Sequence, residues 1–205
     1  MTQFKQLIID SDVRETPLAA ELLQWATHKA IPTHAVSAEQ IGLEQRQSLH
    51  LKKQKGAVVR VCQGKVERHG VDDNVCCNLR VINQVEGCPL TCNYCILQSY
   101  SSHQPTQVAY ANVDEMLDQA EAQFRQEPNR LFRVTTGELG DSLATDNLLQ
   151  FSPRAVQRFA TIPNALLELK TKSTLIDHLL DLPHCGHTVL SWSLNTDWII
   201  QHEET

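Results

Sequence analysis

The chain has 205 residues, enough for one domain of ordinary size or one domain with a small lobe, and it is 41% hydrophobic and 20% charged. That balance excludes a wholly disordered polymer, and no apolar run approaches the roughly 18 residues a membrane span needs. The net charge of −6 disfavours a generally basic nucleic-acid coat, and the first ten residues lack the pattern of a secretory signal, so a cytoplasmic location is the default expectation.

In chain order, residues 15–29 predict a helix. Pro17 suits a first turn, and Leu18, Leu22, Leu23 and Trp25 fall near one face. Residues 37–54 predict a second, with Ser37 as N-cap and Gln40 three residues on, broken by Gly56. Ala-Val-Val-Arg-Val at 57–61 reads as a short strand. Residues 62–78 carry Gly64, Gly70, Asp72, Asp73 and Asn74 and read as loop.

Between Arg46 and Arg68, seven basic residues (Arg46, Lys52, Lys53, Lys55, Arg60, Lys65 and Arg68) stand against the single acid Glu67. Such a stripe can face phosphates or simply be a solvated surface.

From residue 79 the rhythm becomes strand, helix, strand. Strands are expected at Leu79–Val85, Leu131–Thr135, Ala165–Thr171 and Thr188–Leu194. Helices are expected over 113–126 (Asn112 or Asp114 near the cap), 144–160 (interrupted or restarted at Pro153) and 173–181. This alternation predicts βα units on a parallel sheet. The division expected is an N-terminal helical and loop lobe, 1–78, followed by an α/β domain, 79–205.

Three of the seven cysteines, Cys88, Cys92 and Cys95, fall within eight residues directly after the first of these strands. In a reducing compartment such a group is metal-binding or catalytic rather than a disulfide framework. Three thiolates can hold three irons of a 4Fe–4S cubane and leave the fourth iron open. The competing arrangement is a zinc knot that adds Cys76, Cys77 or a histidine. Only Cys92 and Cys95 form the Cys-x2-Cys pair that zinc sites usually repeat. Cys62, Cys76 and Cys77 carry no assigned chemistry and read as small buried side chains. His178, His184 and His187 read as helix-end and turn residues, and Cys185 as incidental.

The spacing Cys-x3-Cys-x2-Cys resembles the signature of the radical S-adenosylmethionine superfamily. The likeness extends to Lys52–Gly56, Val61–Gly64, Val75–Asn78, Gly87–Gln98, Thr171-Lys172, Asp177–Leu180 and Ser191–Asn195. Together these segments resemble the spore photoproduct lyase family. The resemblance implies a partial (β/α)6 barrel, about four βα units of which are present. Its cofactors would be a 4Fe–4S cluster on Cys88, Cys92 and Cys95, and S-adenosylmethionine cleaved to a 5′-deoxyadenosyl radical. It also implies a lyase-type activity related to DNA repair, a nucleic acid among the candidate substrates, and a reductant such as a flavodoxin or ferredoxin.

By the same resemblance Tyr94 lies near the adenine, Gly137 and Glu138 near the methionine amino group, Lys172 reaches the methionine carboxylate, and Ser193 bonds the bound cofactor. Each has a plainer counterpart: a packed ring, a loop carboxylate, a surface lysine, a hydroxyl bonded to backbone.

Two departures stand out. The family's hydrogen-donor cysteine after the second strand has no counterpart in Thr136–Ser142, and the last two βα units are missing, so a C-terminally truncated chain is expected. A non-catalytic iron–sulfur or zinc module binding nucleic acid through the 46–68 stripe, and a truncated pseudoenzyme, are the competing expectations.

Overall fold

The structure, a computed structural model, describes residues 4–36, 47–62, 79–90, 92–100 and 107–204. The expected caps Ser37 and Gln40, most of the 62–78 loop, Cys76, Cys77, Arg46, Lys65, Glu67 and Arg68 lie outside the described residues.

The strands are β1 (Gln6–Asp10), β2 (Thr33–Val36), β3 (Ser48–Lys52), β4 (Val59–Val61), β5 (Arg80–Ile82), β6 (Val85–Glu86), β7 (Gln107–Tyr110), β8 (Phe132–Thr136), β9 (Ala165–Thr171) and β10 (Thr188–Trp192). The helices are α1 (Pro17–His28), α2 (Leu97–Tyr100), α3 (Val113–Arg125), α4 (Asp146–Leu149), α5 (Phe151–Phe159) and α6 (Asp197–Glu203). Among the described residues they form two five-stranded sheets, ordered β2-β1-β3-β7-β6 and β10-β9-β8-β5-β4. No helix among them is long and apolar enough to cross a membrane.

The α/β architecture with parallel strands agrees with expectation, and the described strands form no closed barrel. β5, β8, β9 and β10 run parallel in that order, and β4 joins β5 antiparallel. Both sheets draw strands from either side of residue 78.

The first sheet departs most from the sequence expectations. Neither β1 nor β2 was expected, and the described part of the expected 37–54 helix is strand β3, set between β1 and β7. The reason is burial on both faces: Ser48, Leu49, His50 and Leu51 are each fully covered, so tertiary packing overrides the helical pattern. α1 covers one face of this sheet. Thr16 caps it by accepting from the Ala19 amide at 3.3 Å, and Leu18, Leu22 and Ala26, four residues apart, are its buried row.

In the second sheet the expected Leu79–Val85 strand is divided. The chain leaves the sheet after Ile82 and enters the first sheet at Val85, antiparallel to β7. Helix α3 buries Val113, Met116, Leu117, Ala120 and Phe124 against the sheet. Phe124 meets Phe132 at 4.8 Å and Phe159 at 6.0 Å between ring centroids.

The expected 144–160 helix breaks at Gln150, whose φ of 53° is left-handed, and Pro153 then falls in the first turn of α5. Asp146 bridges the break, its Oδ1 accepting from the Phe151 and Ser152 amides at 3.1 and 2.9 Å. The helix expected over 173–181 shrinks to a 3-10 turn, Asp177–Leu179. Side chains take its first amides: Ser173 N donates to Thr171 Oγ1 at 2.8 Å and Leu175 N to Ser173 Oγ at 3.1 Å.

Candidate cofactor site

One face of the second sheet packs on α3 and α5. The opposite face, with Thr135, Glu168 and Lys170 in its strands, opens on a cavity of about 370 Å³. β9 records this division: Ala165, Leu167, Leu169 and Thr171 are buried, while Leu166, Glu168 and Lys170 are not. The cavity lies at the carboxyl ends of the strands, where parallel sheets gather ligands. Gly137, Lys172 and Ser193 each stand one residue beyond a strand end, after β8, β9 and β10.

Every residue expected at the site lines this cavity: Cys88, Cys92, Cys95, Tyr94, Gly137, Glu138, Lys172 and Ser193. They come from four separate segments. Cys62 lines it as well, half-buried.

The cysteine loop is held by its own backbone and by its neighbours. Cys95 N donates to Cys92 O at 3.0 Å, and Gly87 N to Leu139 O at 2.8 Å. Gln98 Nε2 donates to the Cys92 carbonyl. Burial pushes the Cys88 thiol up to about 12, with nearby acids and thiols adding to the effect.

Among the described residues no three His, Cys, Asp or Glu side chains converge where a single ion could sit. A cubane does not ask for such convergence, because each thiolate binds a different iron, whereas a tetrahedral zinc site does. Cys88, Cys92 and Cys95 line one cavity, and three thiols are the number a cubane with one open iron takes.

A carboxylate sits against Lys172, the residue expected to reach the methionine carboxylate, and against Tyr94 of the cysteine loop. Glu204, after α6, accepts through Oε1 from Lys172 Nζ at 2.6 Å, from Tyr94 Oη at 2.5 Å and from Asn195 Nδ2. Lys172 Nζ also donates to the Ser193 carbonyl at 2.8 Å and stands 5.8 Å from the Tyr94 ring centroid. Hydrogen bonds from Lys172, Tyr94 and Asn195 pull the Glu204 carboxyl down to about 2. Burial alone would lower the Lys172 pKa, but the bonds to Glu204 and Tyr94 outweigh it and the net shift is upward. Lys172, Tyr94 and Asn195 together make a seat for one carboxylate, here that of Glu204.

The Gly137 loop turns tightly. Gly137 has φ of 77°, and a Cβ there would lie 2.8 Å from Ser142 Oγ; one on Gly140 would lie 2.7 Å from the Gly87 carbonyl. Only residues without a side chain fit these positions. Glu138 is exposed at the rim.

Sequence reasoning gave no role to Asp141, Asn195 or Glu204. Asn195 closes the Ser191–Asn195 motif; its partners are Tyr94, 101 residues away, and Glu204, nine residues away. Cys62, expected as a small buried side chain, is instead half-buried at the cavity wall. His178 Nε2 lies 2.9 Å from Asp146 Oδ2, His187 Nδ1 2.8 Å from the Ala165 carbonyl, and Cys185 is exposed. In the basic stripe, Lys53 pairs with Glu115 at 3.1 Å and Lys55 with Asp12 at 2.8 Å.

The chain is 33% identical over 118 residues to the spore photoproduct lyase of Bacillus subtilis, covering 58% of this chain and 34% of that protein. It is 29% identical over 118 residues to the spore photoproduct lyase of a Geobacillus species, covering 58% and 35%. Its fold matches a solved spore photoproduct lyase mutant with bound AdoMet and dinucleoside spore photoproduct (TM-score 0.83, 22% identity, 98% of this chain and 59% of that one). A second solved spore photoproduct lyase, complexed with dinucleoside spore photoproduct, matches with a TM-score of 0.84 at 22% identity, covering 99% and 60%. The chain thus spans about 60% of the solved chains, and its alignments cover about a third of the curated relatives. The family model for spore photoproduct lyase matches residues 4–205, so the chain belongs to the spore photoproduct lyase family and with it to the radical S-adenosylmethionine superfamily.

Proposed function

We propose that the chain holds a 4Fe–4S cluster on Cys88, Cys92 and Cys95, binds S-adenosylmethionine in the adjoining cavity, and acts as a radical enzyme on a nucleic-acid substrate. One observation carries the proposal: eight residues expected at such a site, from four separate segments, line a single cavity.

A cluster held by Cys88, Cys92 and Cys95 would supply the one electron needed for reductive cleavage of S-adenosylmethionine. The protein's own residues bind and orient. Lys172, with Tyr94 and Asn195, offers three donors to a carboxylate, the set that Glu204 engages. An ammonium facing a carboxylate in a partly covered cleft gives a short, charge-assisted bond that fixes one end of the ligand. The Gly137–Glu138 turn leaves room for backbone approach and sets a carboxylate at the rim for the ligand's amino group. The Cys88 thiol must lose its proton to bind iron, so cluster assembly releases protons and is favoured as pH rises.

The solved relatives named above carry a dinucleoside spore photoproduct, which supports a nucleic-acid lesion as the substrate class. No cysteine lies in Thr136–Ser142, so a thiol on that loop is not the hydrogen donor here. Electrons would come from a small low-potential carrier such as a flavodoxin or ferredoxin.

The test is anaerobic reconstitution with iron and sulfide, followed by electron paramagnetic resonance of the reduced protein with and without S-adenosylmethionine. The expected result is about four irons per chain, a signal that changes on adding S-adenosylmethionine, and loss of both in Cys88→Ala, Cys92→Ala and Cys95→Ala. One tightly bound zinc, or a cluster whose signal ignores S-adenosylmethionine, would overturn the proposal.

A further inference from the structure

Between the cysteine loop and the Lys172 seat lies a carboxylate without an assigned role. Asp141 is 6% exposed and accepts four hydrogen bonds. Its Oδ1 takes the Leu143 and Ala144 amides at 2.9 Å each and Thr171 Oγ1 at 2.6 Å. Its Oδ2 takes the Lys172 amide at 2.7 Å. A buried charge is tolerated when donors surround it, and here two come from its own loop and two from the end of β9. The same loop meets β9 again through Ser142 N, which donates to Lys170 O at 3.2 Å. On its other side it abuts the cysteine segment, through the Gly87 to Leu139 bond and the close approach of Gly140 to Gly87.

One loop therefore touches the cysteine segment on one side and the backbone of Lys172 on the other, and Asp141 is its charged tie to the second.

We propose that Asp141 is a positioning residue for cofactor binding: its carboxylate fixes the Lys172 backbone to the Gly137–Ala144 loop, and so sets the Lys172 ammonium at a fixed distance from the cysteine loop. The inference rests on the cofactor assignment given under Proposed function. Asp141 does not itself touch the ligand's carboxylate. It acts through Lys172, much as outer-layer partners of metal ligands hold their ligands in place, where losses on the order of 10–100-fold are usual.

The experiment uses Asp141→Asn, nearly isosteric but with one acceptor replaced by a donor, alone and combined with Lys172→Met. In the protein without cofactor, amide hydrogen exchange should speed up at Leu143, Ala144 and Lys172 and stay unchanged at Leu7 and Leu167, both fully buried elsewhere in the sheets. In the reconstituted protein, calorimetry should show S-adenosylmethionine binding about tenfold weaker for Asp141→Asn. The same change should cost little when Lys172 is already Met, because the two act through one contact.

Unchanged exchange at Lys172 overturns the inference. So does equal acceleration at all these amides, which marks a general loss of stability, and so does an equal affinity loss in both backgrounds. A wild-type chain that assembles its cluster and binds no S-adenosylmethionine overturns the cofactor assignment instead; the exchange data still decide whether Asp141 fixes Lys172.

Discussion

The two sheets are built from the same kind of strand and end in opposite conditions. In the first, β1 and β3 are buried on nearly every residue of both faces. In the second, β9 alternates buried and uncovered residues, and β10 has no fully buried residue. The first sheet spends its side chains on packing. In the second, Glu168 and Lys170 of β9 stay partly or fully exposed beside the covered Thr135 on the cavity face, with loops carrying the thiols and Lys172 above it. Stability and site are therefore separable, and substitutions in the two sheets should have different signatures.

The largest separation is expected from Leu49→Ala in β3. Leu49 is fully buried, so its truncation should cost about 2–5 kcal/mol in denaturant unfolding. Cofactor affinity of the chains that remain folded should not change. A parallel loss of affinity would show that the first sheet braces the cavity and would end the comparison.

Lys172→Met should do the reverse. Losing a charge-assisted bond of about 1.5–3 kcal/mol weakens S-adenosylmethionine binding by roughly 10–100-fold, with little change in melting temperature. Unaltered binding would remove Lys172 from the site.

Glu204→Gln should give a smaller effect of opposite sign. The ligand's carboxylate and Glu204 compete for the same donors. A partly exposed ion pair is worth about 0–1 kcal/mol, so its loss should tighten binding by up to roughly fivefold. Weaker binding would mean that Glu204 supports the site rather than blocks it.

The smallest effect is on pH dependence. The hydrogen bond to Asp146 raises the His178 pKa above its ordinary value, outweighing partial burial. That pair contributes stability fully present below about pH 6.5 and lost as pH rises through the raised value. The melting-temperature gap between wild type and His178→Gln should therefore be widest in mild acid and narrow as pH increases. A gap independent of pH would leave His178 without an ionic role. His50 in the first sheet titrates the other way, since burial lowers its pKa despite Asp10 at 2.8 Å, so only the difference between the two proteins isolates His178.

How legible each region was in the sequence follows the same division. β8, β9 and β10 announced themselves as five- to seven-residue segments rich in apolar and β-branched residues that follow the amphipathic helix α3, whose buried positions recur every three to four residues. The cysteine loop was readable because its chemistry is local: three thiols within eight residues. β1 and β3 were not, because a short segment buried on both faces shows no alternation, and Ser37 with Gln40 three residues on read as the start of a helix through 54. Asp141 and Glu204 were missed for another reason. Neither has a local signature, and their roles arise from partners up to 110 residues apart, as between Tyr94 and Glu204. The division of β5 from β6 was hidden too, since Asn83 and Gln84 carry the chain from one sheet to the other without a glycine or proline to mark the change.

The central claim is that the thiols and the Lys172 seat form one working site. Its most direct test is the amount of 5′-deoxyadenosine released when the reconstituted chain is reduced in the presence of S-adenosylmethionine. Product that depends on Cys88, Cys92 and Cys95 and falls sharply in Lys172→Met is the predicted result. A fully loaded cluster that releases none, or product indifferent to Lys172, would contradict it.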